Sequence, residues 1–205
     1  MPDEMLRTGI VSVILCLTAA FVSPAQNSGD IDPFTASFEE NINMPSVSGR
    51  QHHKLVDAMG QLKRTLENMG YKVSTERSDE VVYVTIPCSE LFAPNDTELK
   101  HAAVKKLQPL VPYVQRKDNY KVVVAVHCDD TGDAEYADNL TDERATAIDA
   151  FFLRSSSDNE TGIIPYGLGF DEPRKSNNSM ANRAVNRRVE IYFIPTKNFI
   201  DKSQR

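Results

Sequence analysis

The 205-residue chain contains no tryptophan. That removes the commonest aromatic platform of sugar-binding sites, although a ligand attached to a glycan stays open. Its three cysteines stand at positions 16, 88 and 128, and no pair among them has metal-ligand spacing. Positive charge is in deficit: 23 Lys and Arg against 29 Asp and Glu give a net charge of −6 and a pI near 5.3. A general nucleic-acid or anionic-lipid surface is therefore excluded. The uncharged apolar run at residues 8–22 is 15 residues long, short of the roughly 20 that a membrane-spanning helix needs. No Ser-His-Asp or Cys-His set stands out, so no catalytic residue, cofactor or metal is expected.

What is present reads as one domain behind an export signal. Arg7 precedes the apolar run, and Ser23-Pro24-Ala25 offers small residues for cleavage before Gln26, so residues 1–25 are expected to be a signal peptide. The acidic Asp3 and Glu4 are unusual there and point to Met5 as the start. An uncleaved anchor is the alternative; a lipoprotein at Cys16 is disfavoured by Leu15 before it. Residues 26–49 are polar, acidic and aperiodic, as in a flexible linker. Such a segment has no room for a membrane β-barrel, since one strand alone takes about 9–11 residues.

Periodicity then sets out the elements. Leu55, Met59, Leu62, Leu66 and Met69 recur at helical spacing, and Gly70 supplies a stop. The His52-His53 pair on that helix diverges by about 100° and reads as a solvated face rather than a metal site. Residues 71–74 and 81–87 form a candidate hairpin, so residues 50–80 read as an N-terminal helix and short strand. Asn95 with Glu98 looks like a capping box ahead of a helix carrying Leu99, Ala103, Leu107, Leu110 and Val114, which Pro109 and Pro112 kink or stop. After a loop at residues 155–162 comes a short strand at 163–167. The sequence closes with an alternating, half-buried strand at 187–194 and a tail over 198–205. Strands alternating with helices predict an α/β (α+β sandwich) class, in βαβαββ order, with helices packed on a mixed sheet.

The most informative stretch is residues 122–145. Val122 to Val126 is an unbroken apolar run, as in a strand covered on both faces. It ends in Cys128 and Asp129, and the helix expected over 134–152 carries Leu140, Ile148, Phe151 and Phe152 as its core stripe. Arg144 lies on that stripe, fifteen residues after Asp129. An arginine there must snorkel to an edge or meet an acid. Either the two close a salt bridge that binds nothing, or they face a ligand bearing an amine and a carboxylate.

Four motifs in order, HCDDTG, L-T-x-x-R-A, YGLGFDEP and N-x5-R-x2-NRRVEI, resemble the OmpA-like (OmpA C-terminal, MotB and Pal) peptidoglycan-binding domain family, over residues 81–197. The resemblance implies non-catalytic binding of the diaminopimelate of a peptidoglycan stem peptide. Asp129 would take its ammonium and Arg144 would fork onto its carboxylate, with Asn95 and Thr131 at the rim. It also implies a periplasmic protein associated with the outer membrane and cell wall, with residues 26–70 left for an outer-membrane partner. Departures from the pattern fall at Cys128, Asp130, Ala137, Thr141, Phe170 and Asn182, and they bear on the secondary ligand contacts. Arg187 and Arg188 read as structural braces of the acidic turn. Cys88 and Cys128 end apolar strands and either pair, as an exporting route allows, or stay as buried thiols. Two other readings remain: an aspartic-protease-like dimer using Asp130-Thr131-Gly132, and a cation site of Asp129, Asp130, Asp133 and Glu135.

Overall fold

The computed structural model describes residues 32–45, 47–156 and 162–205. The expected signal peptide and most of the 155–162 loop lie outside the described residues. In chain order the described elements begin with α1 (Phe38–Asn43), α2 (Arg50–Asn68), β1 (Lys72–Glu76), β2 (Val81–Pro87) and α3 (Cys88–Leu91). Next come α4 (Val104–Leu107), α5 (Val111–Val114), β3 (Tyr120–His127) and α6 (Ala134–Ser155). The chain finishes with β4 (Ile163–Gly167), α7 (Met180–Asn186), β5 (Arg188–Pro195) and α8 (Lys197–Ser203).

One five-stranded sheet runs in the order β1-β2-β5-β3-β4. Only β3 and β4 pair in parallel, joined by the crossover helix α6, and the other neighbours are antiparallel. From β2 onward this is the expected βαβαββ order, with β1 added as an edge strand. Valines on β2 and β3 alternate between two cores. Val82, Val84, Val122 and Val124 meet Leu55, Met59 and Leu66 of α2 and Ile148 and Phe152 of α6. On the opposite face Tyr83, Val123, Ala125 and Tyr192 are covered by Ile42 and Phe38 of α1.

That second cover was not legible as periodicity, because α1 is under two turns long. It lies inside the expected linker and is set by local chemistry: Ser37 and Glu40 form a reciprocal capping box. Asn41 then donates to Pro33 O at 2.7 Å and Tyr166 Oη at 2.6 Å, and Lys121 donates to Asn41 Oδ1 at 2.9 Å. Arg77 closes the far end by donating to Ile42 O and Pro45 O. The expected tail likewise folds as α8, with Ile200 buried.

Four further differences have plain causes. No helix starts at Asn95: the residue sits in an exposed turn at φ 58°, and Asp96 rather than Asn95 accepts from Glu98 N. The following helix is, as expected, broken at Pro109 and Pro112 into single turns. Leu140 is only half-buried and Met69 is 45% exposed, since both stand at the margin of their helix's apolar stripe. β5 is buried at every position rather than half-buried, because it is the middle strand. Its Arg188 and Glu190 survive there by pairing, and Tyr192 Oη also donates to Glu190 at 2.6 Å. On α2, His53 is exposed as expected, but His52 is half-buried, with its Nδ1 2.7 Å from Glu80 Oε1.

Candidate functional site

The site forms where β3 ends. Cys128 N donates to Gly169 O at 2.8 Å, and Gly169 N donates to Thr141 Oγ1 at 3.1 Å. Thr141, standing where the resembled family has serine, thus ties α6 to the turn after β4. Gly167 is obligatory in this arrangement: a Cβ there would lie 2.4 Å from the Asp142 backbone nitrogen. Asp133 caps α6 by accepting from Tyr136 N at 2.8 Å.

Inside this frame Asp129 is buried, at 4% exposure. Its Oδ1 accepts from Thr131 N at 2.9 Å, and its Oδ2 accepts from Arg187. Burial pushes its carboxyl up, but Thr131 and the Arg187 guanidinium more than offset this and hold it below the usual carboxylate value. Arg144 is equally buried, as helical spacing predicts. It meets no acid, however. Its Nε donates to Asp96 O at 2.8 Å, its Nη2 to Ala93 O at 3.3 Å, and its guanidinium lies 4.9 Å from the Phe92 ring centroid. Among the described residues no carboxylate forms an ion pair with it, so the internal Asp129–Arg144 salt bridge is absent.

The expected site residues therefore fall into two groups. Asp129 and Thr131 share one turn, and Arg144 anchors the loop whose exposed tip is Asn95. The Cys128 thiol lies in the fields of both Asp129 and Arg144, which brings the groups to one neighbourhood. Cys88 and Cys128 are free and buried, and Cys88 Sγ donates to His127 O at 3.7 Å. Burial raises the Cys88 thiol to about 11 and that of Cys128 to about 12.

The sequence marks Arg187 only as a brace and Arg183 only as the arginine of N-x5-R, and it leaves Phe92 unmarked. The signal for Arg187 was strand pairing: His127 is registered with Arg188, which sets Arg187 beside the residues after β3. Arg183 donates to Asn177 O at 2.9 Å and reaches Asp130 at 3.6 Å, which explains the N-x5-R spacing.

The acidic turn does not gather a cation site. Asp129 turns to Arg187, Asp130 to Arg183 and Asp133 to the helix cap, and no cluster able to hold a metal occurs among the described residues. Asp130 itself is exposed and lies beside a guanidinium, a poor setting for a carboxylate that must share a proton.

Residues 91–187 match the OmpA family, so this stretch of the chain is an OmpA-like domain. It is 28% identical over 126 residues to a protein of Escherichia coli (strain K12) named "Probable lipoprotein YiaD", covering 62% of this chain and 57% of that one. It is also 28% identical over 107 residues to the peptidoglycan-associated lipoprotein of Legionella pneumophila, covering 52% and 60%. The chain thus spans less than two thirds of either relative's own length. A MotB-like protein of Desulfovibrio vulgaris shares the fold, with TM-score 0.62 and 23% identity over 72% of this chain and 97% of that one.

Proposed function

We propose that the domain binds peptidoglycan without catalysis, through the diaminopimelate of a stem peptide, and so tethers an exported envelope protein to the cell wall. Asp129 receives the side-chain ammonium and Arg144 the carboxylate, with Asn95 and Thr131 at the rim. The observation that carries this reading is Arg144: a buried guanidinium whose hydrogen bonds go to neutral carbonyls, with no carboxylate partner among the described residues. A buried charge of that kind is costly unless an anion arrives. Asp129, kept ionised nearby, supplies the complementary sign for an amino acid that bears both groups. The OmpA-family match of residues 91–187 and the similarity to a peptidoglycan-associated lipoprotein support peptidoglycan as the polymer bound. The protein acts in the periplasm at the outer membrane, delivered by the signal peptide over residues 1–25, and residues 26–70 meet an outer-membrane partner. Co-sedimentation with insoluble sacculi tests the reading, using Asp129→Asn and Arg144→Lys so that volume is kept. Both variants should lose most of the bound fraction; unchanged sedimentation would remove these residues from the role.

A further inference from the structure

A cavity of about 440 Å³ opens on the other side of Arg187, between α7, α3 and the adjoining ends of β1 and β2. Its size is that of a small-ligand site. Ile86, Pro87, Ala184 and Val185 give it an apolar wall, and Val185 is 41% exposed there. Lys72, Lys106, Arg174, Arg187 and Arg188 line the rest, and Glu90 is the one acid in the lining.

Internal pairing does not cancel these cations. Arg174 and Arg188 share the single carboxylate of Glu190, Arg187 has Asp129, and Lys106 has Glu90 at 2.7 Å. Five cations against three carboxylates leave two positive charges over, in a chain whose net charge is −6. Lys72 is exposed and has no ion-pair partner among the described residues. Thr85 also borders the cavity, with its Oγ1 buried away from the opening.

We infer that this groove is a second anion subsite, taking the terminal carboxylate of the same stem peptide with its small apolar side chain against the exposed Pro87 and Val185. The inference rests on the wall-binding reading, because Arg187 is what joins the two: it bonds Asp129 on one side and lines the groove on the other. A stem peptide seated at Asp129 and Arg144 would run its free end past Arg187 toward Lys72 and Lys106.

The test uses the full chain and three probes in calorimetric titration: free diaminopimelate, a diaminopimelate-containing stem peptide with a C-terminal carboxylate, and the same peptide as its C-terminal amide. Wild type is expected to bind the carboxylate form about tenfold tighter than the amide, the scale of one charge-assisted hydrogen bond. Lys72→Glu combined with Lys106→Gln should bring the two peptides level while leaving free diaminopimelate unchanged. Val185→Asp, on the exposed wall, should do the same. Equal binding of acid and amide by wild type, with diaminopimelate still bound, overturns the groove alone. Loss of all three probes from wild type overturns the groove together with the wall-binding reading. An acidic peptide lacking diaminopimelate that binds as tightly, and survives Asp129→Asn, overturns the assignment to the stem peptide in favour of an acidic protein segment.

Discussion

Arg187, the residue before β5, is the cation that closes on Asp129, while Arg144 is held by the carbonyls of Ala93 and Asp96. Acid and arginine of the expected pair thus have separate internal partners. The consequence is a site whose acid is already oriented and ionised, and whose inner guanidinium still lacks an anion. In the proposed binding mode an incoming ammonium would share Asp129 with Arg187, whose side chain is 38% exposed.

The first prediction concerns that acid. Its carboxyl lies below the ordinary value, so its stabilising contribution is complete above about pH 4 and disappears as pH falls through the lowered value. Melting of wild type and Asp129→Asn should therefore differ most at pH 5–7 and converge in strong acid. In Arg187→Gln, carboxyl carbon shifts should report an Asp129 titration moved upward; an unmoved midpoint would show that Arg187 contributes nothing to it.

Glu190 should be the costliest polar position to change. It is buried beside Arg188, Arg174, Tyr192 and His127, and although burial raises its carboxyl, His127, Arg188 and Tyr192 bring it well below the usual range. Glu190→Gln leaves two guanidiniums facing a neutral amide, and urea denaturation should register a loss of about 3 kcal/mol.

The two thiols should be inert in the folded protein. With Cys88 near 11 and Cys128 near 12, hardly any thiolate exists at pH 8. Peptide mass spectrometry after iodoacetamide should find both unmodified natively and alkylated in urea. Rapid native labelling of Cys128 would mean that the turn after β3 opens readily.

The cover supplied by α1 can be weighed in the same way. Ile42 is 9% exposed and packs on the sheet face carrying Tyr83 and Tyr192. Ile42→Ala should cost about 2 kcal/mol, at the low end for core truncations. No change would indicate that α1 rides on the sheet without stabilising it.

Long periodic signals carried most of the fold. The stripe Leu55, Met59, Leu62, Leu66 gave α2, the run at Val122 to Val126 gave β3, and Arg144 was recognisable as inward-facing from its place between Leu140 and Ile148. What escaped was decided by tertiary partners. A buried arginine suggests an acid, yet backbone carbonyls and an aromatic face hold it in place without neutralising its charge, and nothing in the local sequence distinguishes those choices. Arg188 and Glu190 read as the solvent face of a strand because alternation does not reveal that both faces are covered. The α1 cap was visible as Ser37 and Glu40, but a helix of six residues leaves no period to detect. Asn95 looked like a cap because its residue type suits both caps and left-handed turns.

In the proposed site a buried guanidinium and a buried carboxylate hold opposite ends of one ligand. Titration of free diaminopimelate against wild type, Asp129→Asn, Arg144→Lys and the double variant tests it most directly. Wild type should bind saturably, each single variant should lose at least about tenfold in affinity, and the double variant should give heat signals no larger than dilution. Binding by Arg144→Lys and Asp129→Asn as tight as wild type, with all proteins folded, would contradict it.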